Sequence, residues 1–314
     1  MGSKTEVKLP VIDFSEEAVN PGTNSWFSAC KEIKDAFEDH TSFIIHYPTI
    51  KKEVNDAIFL ASEELFDLPI ERKLKNKSNP DKLFGYIGQI PQNPTFEGMV
   101  IEDATSQESL DKFTNLMWPS GNDRFCEIVE SYTKEVSKLE KMVMRMIFES
   151  FGVKEFHVQY YESCSNFLAL NKHRPPQLNE ELGGVQEHTD PTFITLIQQN
   201  QISGLEVKSK DGSWISVDLP PSSFLVMAGD ALLAWSNGRV HSTVHRVRRN
   251  SRETIRLSIA LASYYNGMIR IPEELVDEEH PLKFKPFNHL EFIHFTFTGS
   301  SYKDKRKMIA YCGI

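Results

Sequence analysis

The stretch "QEHTDPTFITLIQQ", Gln186 to Gln199, runs from two polar, metal-capable side chains into an apolar segment. In a strand, residues i and i+2 point to the same face. His188 and Asp190 therefore project together, and Thr189 points the other way. One imidazole and one carboxylate on a shared face make two ligands of a three-ligand metal site. The third has to come from elsewhere in the chain.

The alternating period continues on both sides of this stretch. "SNFLALNKH", "FITLIQQNQ", "GLEVKSKDGSWISV", "SSFLVMAGDALLAWSNG", "VHSTVHRV" and "TIRLSIALAS" read as short strands. Asp211-Gly212 and Asn237-Gly238 read as hairpin turns between them. Six or more strands unbroken by helices predict an antiparallel barrel or sandwich.

The first half is mostly helical in pattern. Trp26, Cys30, Ile33 and Phe37 form one stripe after a cap at Thr23 or Asn24. Val54, Ile58, Ala61 and Leu65 form a second. The longest helix runs through "DRFCEIVESYTKEVSKLEKMVMRMIFESFG", with Gly152 as its C-terminal cap. "KLPVIDF" and "TSFIIHY" are strand candidates, and Lys75 to Met117 reads as loop. After Pro272 the pattern returns to helix, with one or two terminal helices in "NHLEFIHFTFTGSSYKDKRKMIAY". These boundaries divide one structural unit into an N-terminal helical region (1–152), a catalytic core (153–271) and a C-terminal helical lid (272–314).

The 314 residues carry a formal net charge of -9, which argues against nucleic acid as a partner, since phosphate binding needs a basic face. No signal-peptide core, lipidation motif or run of eighteen apolar residues occurs, so the expectation is a cytoplasmic monomer with no membrane partner. The four cysteines are far apart and lack a CxxC pair, so they read as reduced thiols.

Either His241 or His245 in "VHSTVHRV" could complete the ligand set. Two histidines and one carboxylate leave three open positions on an octahedral metal, the arrangement of non-haem iron(II) oxygenases. An open face of this kind accepts a bidentate keto acid and then oxygen. Arg256 and Ser258 in "TIRLSIA" are again i and i+2. A guanidinium fork with a hydroxyl is a receptor for the keto acid's far carboxylate.

With these motifs in place, the chain resembles the plant iron(II)- and 2-oxoglutarate-dependent dioxygenases over nearly its whole length. "LPVIDF", "LFDLPIERK", "HTDPTFITLI", "GLEV", "DGSWISV", "GDALLAWSNGRVHSTVHRV" and "RLSIA" match that family in order. "FTNLMWP" and "ELVDEEHPLKFKPF" are most similar to the branch of alkenyl/hydroxyalkyl-producing enzymes of glucosinolate metabolism, which also contains deoxypodophyllotoxin synthase. The resemblance implies a double-stranded β-helix (jelly-roll) core, mainly β, with flanking N-terminal helices and a C-terminal helix.

The resemblance also implies roles. His188, Asp190 and His245 become the iron ligands, because the family's distal histidine stands directly before Arg-Val. Arg256 and Ser258 become the 2-oxoglutarate receptor. His173, in "LNKHRPP", stands where the family often has a tyrosine that helps to hold this cosubstrate. Phe113, Asn115, Met117, Trp118, Phe193, His241, Phe292 and Phe295 become the substrate wall. The implied cofactors are Fe(II), 2-oxoglutarate and O2, with ascorbate as reductant in vitro. The implied activity is oxidation of a small, largely hydrophobic specialised plant metabolite by hydroxylation, demethylation, desaturation or ring closure. Two rivals use the same barrel. A non-catalytic metabolite-binding protein has no use for Arg256 beside an open iron face, and a zinc hydrolase leaves the carboxylate receptor unexplained.

Overall fold

The computed structural model describes residues 8–14, 19–78, 84–178, 180–181, 183–249, 252–298 and 306–314. The chain begins with strand β1 (Val11–Asp13), helix α1 (Asn24–His40), β2 (Ser42–His46), α2 (Lys52–Phe66) and the short α3 (Ile70–Lys73). Next come β3 (Tyr86–Ile87), β4 (Phe96–Glu102), α4 (Gln107–Met117), α5 (Asp123–Ser150) and α6 (Phe156–Glu162). The strand-rich part contains β5 (Cys164–His173), β6 (Gly184–His188), β7 (Ile194–Gln199), β8 (Leu205–Lys208), β9 (Trp214–Ser216) and β10 (Ser223–Ala228). Helix α7 (Asp230–Trp235) separates these from β11 (His245–Arg248), β12 (Arg256–Tyr265) and β13 (Met268–Ile269). The chain closes with β14 (Phe287–Asn288), α8 (His289–Thr298) and α9 (Lys307–Cys312). The expected terminal helices are α8 and α9, and 299–305 lie outside the described residues.

Two sheets face each other. The larger has the order β1-β2-β10-β7-β12-β5-β4-β3 and the smaller β6-β11-β8-β9. Leu205, Val207 and Ile215 of the small sheet pack against Ile44, Ile197, Leu225, Met227 and Ala260 of the large one. This is the jelly-roll interior that the resemblance implies. Strand alternation sends the intervening residues Phe43, Ile45, Leu196, Val226, Leu257, Ile259 and Leu261 to the outer face. There they join the main core with the apolar stripes of α1, α2, α4 and α5.

Local sequence explains most boundaries. Helix α1 starts because the Thr23 side chain accepts from Trp26 N, and it ends at Thr41 in the left-handed region, φ 66°. Helix α5 is capped by the Asn122 side chain. Gly152 follows it with φ +78°. Asp211-Gly212 makes the β8–β9 hairpin, with Gly212 at φ +86°.

Three expectations are corrected. Lys75 to Met117 is not loop throughout. Strand β4 pairs with β5 from Phe96↔His173 to Glu102↔Phe167, and α4 follows it. Gly98 and the Asn- and Pro-rich flanks mask the β4 signal. Leu110, Phe113, Thr114 and Met117, all buried, do carry a helical spacing. Second, "SSFLVMAGDALLAWSNG" is not all strand, because it turns into α7 at Gly229. A Cβ on that glycine would meet Thr192 O at 2.0 Å, so the strand can only turn there without a side chain. Asn237-Gly238 therefore ends a helix rather than joining two strands. Third, "VHSTVHRV" is strand only from His245 onward. The segment read as an N-terminal helical region also contributes β1, β2, β3 and β4 to the large sheet.

Candidate functional site

His188 ends β6 and faces His245 at the start of β11, because the two residues are antiparallel register partners. Their rings lie 4.1 Å apart, centroid to centroid. Asp190 stands two residues past His188, in the turn before β7. Its Oδ1 is 3.8 Å from each histidine Nε2. The three ligand atoms lie within 4.8 Å of one another, close enough to share one metal ion.

Hydrogen bonds behind the ligands set their orientation. His188 Nδ1 lies 2.8 Å from Gln186 O and His245 Nδ1 lies 3.2 Å from Thr243 O. A carbonyl only accepts, so each Nδ1 carries the proton and each Nε2 presents its lone pair toward Asp190. Thr195 Oγ1 donates to Asp190 Oδ2 at 2.7 Å, which leaves Oδ1 facing the imidazoles. Burial, and then the neighbouring His245, pushes the His188 imidazole down to about 4, against the opposing pull of Asp190. Burial pushes the Asp190 carboxyl upward, but His245, His188 and Thr195 outweigh it and hold the group below its ordinary value. His188 is thus a neutral imidazole beside the Asp190 carboxylate, the protonation that metal ligation requires.

A second polar group lies on the same inner face. Strand β12 presents Arg256, Ser258, Ala260 and Ala262 inward. Arg256 is fully buried. It donates from Nη1 to Ser258 Oγ at 3.3 Å and from Nη2 to Gln199 Oε1 at 3.0 Å, while its Nε has no partner. No carboxylate pairs with it among the described residues. A buried guanidinium held only by neutral groups is costly and calls for an anion. Burial, with Arg249 nearby, lowers it to about 10.

His173 is the register partner of Arg256, and its ring packs 5.0 Å from Phe96. Its buried Nδ1 has no partner. Burial, then Arg256 and Arg249, pushes this imidazole down to about 3, so it stays neutral. These residues fit a metal-chelating keto acid whose far carboxylate reaches Arg256 and Ser258.

The members expected for the substrate wall lie in several different surroundings. Phe113 and Met117 belong to the outer, helical core, where Phe113 packs on Phe125 of α5 at 6.0 Å. Trp118 packs on the same Phe125, and Asn115 is exposed. Phe193 is enclosed by Phe148, Tyr160, Trp235 and His289. His241 is exposed, off any strand. On α8, Phe292 packs against Phe287 and Tyr311, and Phe295 against Tyr311. The helix instead turns Ile293 and Phe297 toward the inner face. There they meet Phe84, Val100, Phe167 and Tyr264. This aromatic end was legible only as alternation in β5 and β12, without a sign of which face is inner.

The comparisons with known proteins agree with this geometry. Residues 157–263 match the 2OG-Fe(II) oxygenase superfamily, and residues 9–111 match the family described as non-haem dioxygenase in morphine synthesis N-terminal. The chain is 39% identical to a probable 2-oxoglutarate-dependent dioxygenase AOP1 of Arabidopsis thaliana, over 92% of this chain and 96% of that one. Among solved structures, it is similar to the dioxygenase for auxin oxidation in rice, with TM-score 0.80 and 25% identity over 98% and 100% of the two chains. It is also similar to the Arabidopsis thaliana dioxygenase for auxin oxidation 1 in complex with 2-oxoglutarate, with TM-score 0.76 and 26% identity over 87% and 100%.

Proposed function

The chain belongs to the 2OG-Fe(II) oxygenase superfamily, and on that premise we propose that it oxidises a small, largely apolar plant metabolite held between His188, Asp190, His245 and the aromatic end of the inner face. The observation that carries this reading is the run of small residues that strand register sets between these two parts. Register aligns Thr195 with Ala262 and Ala262 with Phe167. Thr195 supports Asp190, so Phe167 stands two strand spacings, roughly 10 Å, from the triad's own row. The residues between are Ala260, Ala262 and Ala169. Small side chains leave room for a ligand, and Phe84, Phe167, Tyr264 and Phe297 offer it flat apolar surface.

Each residue has a defined task. His188, Asp190 and His245 would hold the metal. Arg256 and Ser258 bind the far carboxylate of 2-oxoglutarate, and His173 Nδ1 offers that ligand one more polar contact. The aromatic end binds and orients the metabolite and excludes water from it. Bound iron(II) with 2-oxoglutarate and oxygen supplies the oxidising power, as 2-oxoglutarate is converted to succinate and carbon dioxide. Arg256 is committed to the cosubstrate and the aromatic end is apolar, so the metabolite is neutral or cationic. The rival reading, a non-catalytic binder, leaves the buried Arg256 without an anion.

The test mixes the protein with iron(II), ascorbate, 2-oxoglutarate and a plant metabolite extract. Metabolite-stimulated succinate release is expected, with a product that has gained oxygen, lost two hydrogens or lost a methylene. Absence of any 2-oxoglutarate turnover across extracts would overturn the reading.

A further inference from the structure

The turn that carries His188 and Asp190 is held by consecutive hydrogen bonds to its carbonyls. Lys307 Nζ donates to Thr189 O at 2.7 Å. Asp230 N donates to Asp190 O at 2.8 Å, Ala231 N to Thr192 O at 3.1 Å and Gly229 N to Phe193 O at 2.8 Å. His289 Nε2 lies 2.9 Å from Pro191 O. His289 Nδ1 accepts from Tyr265 N at 3.0 Å, so the proton sits on Nε2 and points at Pro191 O. Five carbonyls in a row, 189 to 193, are thereby satisfied. Three bonds come from the start of α7, and two come from side chains of the C-terminal segment.

These two side chains are costly to place. Lys307 is fully buried and forms an ion pair with Asp230 Oδ2 at 3.2 Å. Asp230 also accepts from Thr189 Oγ1 at 3.1 Å and from Ser242 Oγ at 2.6 Å. Its carboxylate thus links both metal-ligand segments, because Ser242 lies three residues before His245. His289 is fully buried too. A buried ammonium and a buried imidazole give up hydration that only well-placed partners offset. Helix α9 is itself docked by main-chain bonds from Lys285 N to Cys312 O at 2.7 Å and from Ile314 N to Lys283 O at 2.9 Å.

We propose that Lys307 and His289 are positioning residues through which the docked C-terminal segment fixes the spacing of the metal ligands. Neither touches the metal. They hold the backbone between His188 and Asp190 and the backbone after Asp190, so the ligand atoms converge before an ion arrives. A preformed site binds metal more tightly than one that must be ordered on binding. The inference rests on the reading of His188, Asp190 and His245 as metal ligands.

The test uses the full chain and cobalt(II) alone as a spectroscopic probe of the triad. Lys307→Met would leave Asp230 as an unpaired buried charge, so the informative variant is the double change Lys307→Met with Asp230→Asn, which removes both charges at nearly constant shape. His289→Leu removes the bond to Pro191, and His289→Gln restores an amide donor. The expected result is a melting temperature of the metal-free double variant close to the parent's, with a cobalt(II) dissociation constant about 10- to 100-fold higher, as for other groups behind metal ligands. His289→Leu should weaken binding similarly and His289→Gln less. If the double variant and His289→Leu bind cobalt(II) as tightly as the parent, both residues only pack and the inference fails. If the parent binds no cobalt(II), the triad reading fails first and the inference falls with it.

Discussion

Two imidazoles four residues apart have opposite surroundings. His245 opens β11 as the register partner of His188, while His241 is exposed in the irregular segment before it. We expect His188→Ala, Asp190→Ala and His245→Ala each to abolish metal binding in a folded chain, because two remaining ligands hold an ion poorly. His241→Ala should keep its metal, and a metal titration in which His241→Ala fails while His245→Ala succeeds would reverse the assignment. Arg256 gives a second prediction at this scale. Arg256→Ala should weaken 2-oxoglutarate binding by about 2–5 kcal/mol, the scale for losing one side of a buried charged pair. Ser258→Ala should cost about 1 kcal/mol. Titration of 2-oxoglutarate into the metal-loaded protein measures both, and equal losses would contradict the division of labour.

Helices and strands present faces, and a face misjudged by one residue moves a whole set of side chains. On α8 the inner residues are Ile293 and Phe297, one turn apart, rather than Phe292 and Phe295. On α4 the apolar stripe faces α5, behind the large sheet. Phe167→Ala and Ile293→Ala are therefore expected to change which metabolite is oxidised, or the product ratio. Phe113→Ala and Met117→Ala should leave the product pattern alone and cost about 2–5 kcal/mol of stability as core truncations. Chemical denaturation beside a product assay separates the two pairs. A specificity change in Phe113→Ala with unaltered stability would return α4 to the pocket.

Away from the triad, the buried His289, His173 and Glu140 shape the pH dependence of folding. Burial pushes His289 down to about 4, and burial with Arg256 and Arg249 pushes His173 to about 3, from an ordinary 6.5. Below 6.5 the unfolded chain binds protons that these folded imidazoles refuse. Stability should fall with acidification by about 1.4 kcal/mol per pH unit for each. Glu140 acts in the opposite sense. Burial raises it from 4.5 to about 7, against Ser263 and Lys141, so its contribution is complete below 4.5 and is lost as pH rises through 7. Glu140→Gln should therefore stabilise the metal-free chain more at about pH 8 than at about pH 5, and His289→Gln should flatten the acid limb. Denaturation midpoints across that range check both, and parallel curves for parent and Glu140→Gln would exclude the carboxyl.

The sequence by itself determined what spacing and residue type can encode. Two intervals of i and i+2, His188 with Asp190 and Arg256 with Ser258, marked pairs that the structure brings together. The second shares one face of β12, whereas Asp190 lies past the end of β6 and is set by the turn there rather than by strand alternation. The helical stripes of α1 and α5 were equally legible, since period and caps are local. Only the tertiary structure decided which face is inside. A strand's alternation is symmetric, so "FEGMVIE" and "SNFLALNKH" do not state that Gly98, Phe167 and Ala169 share the cavity side. That depends on β4, β5 and β12 lying next to one another with α5 against their other face. The support of the metal turn by Lys307 and His289 was equally hidden. It joins residues about a hundred positions apart, and a lone lysine or histidine in a helix carries no mark of the carbonyl it will meet.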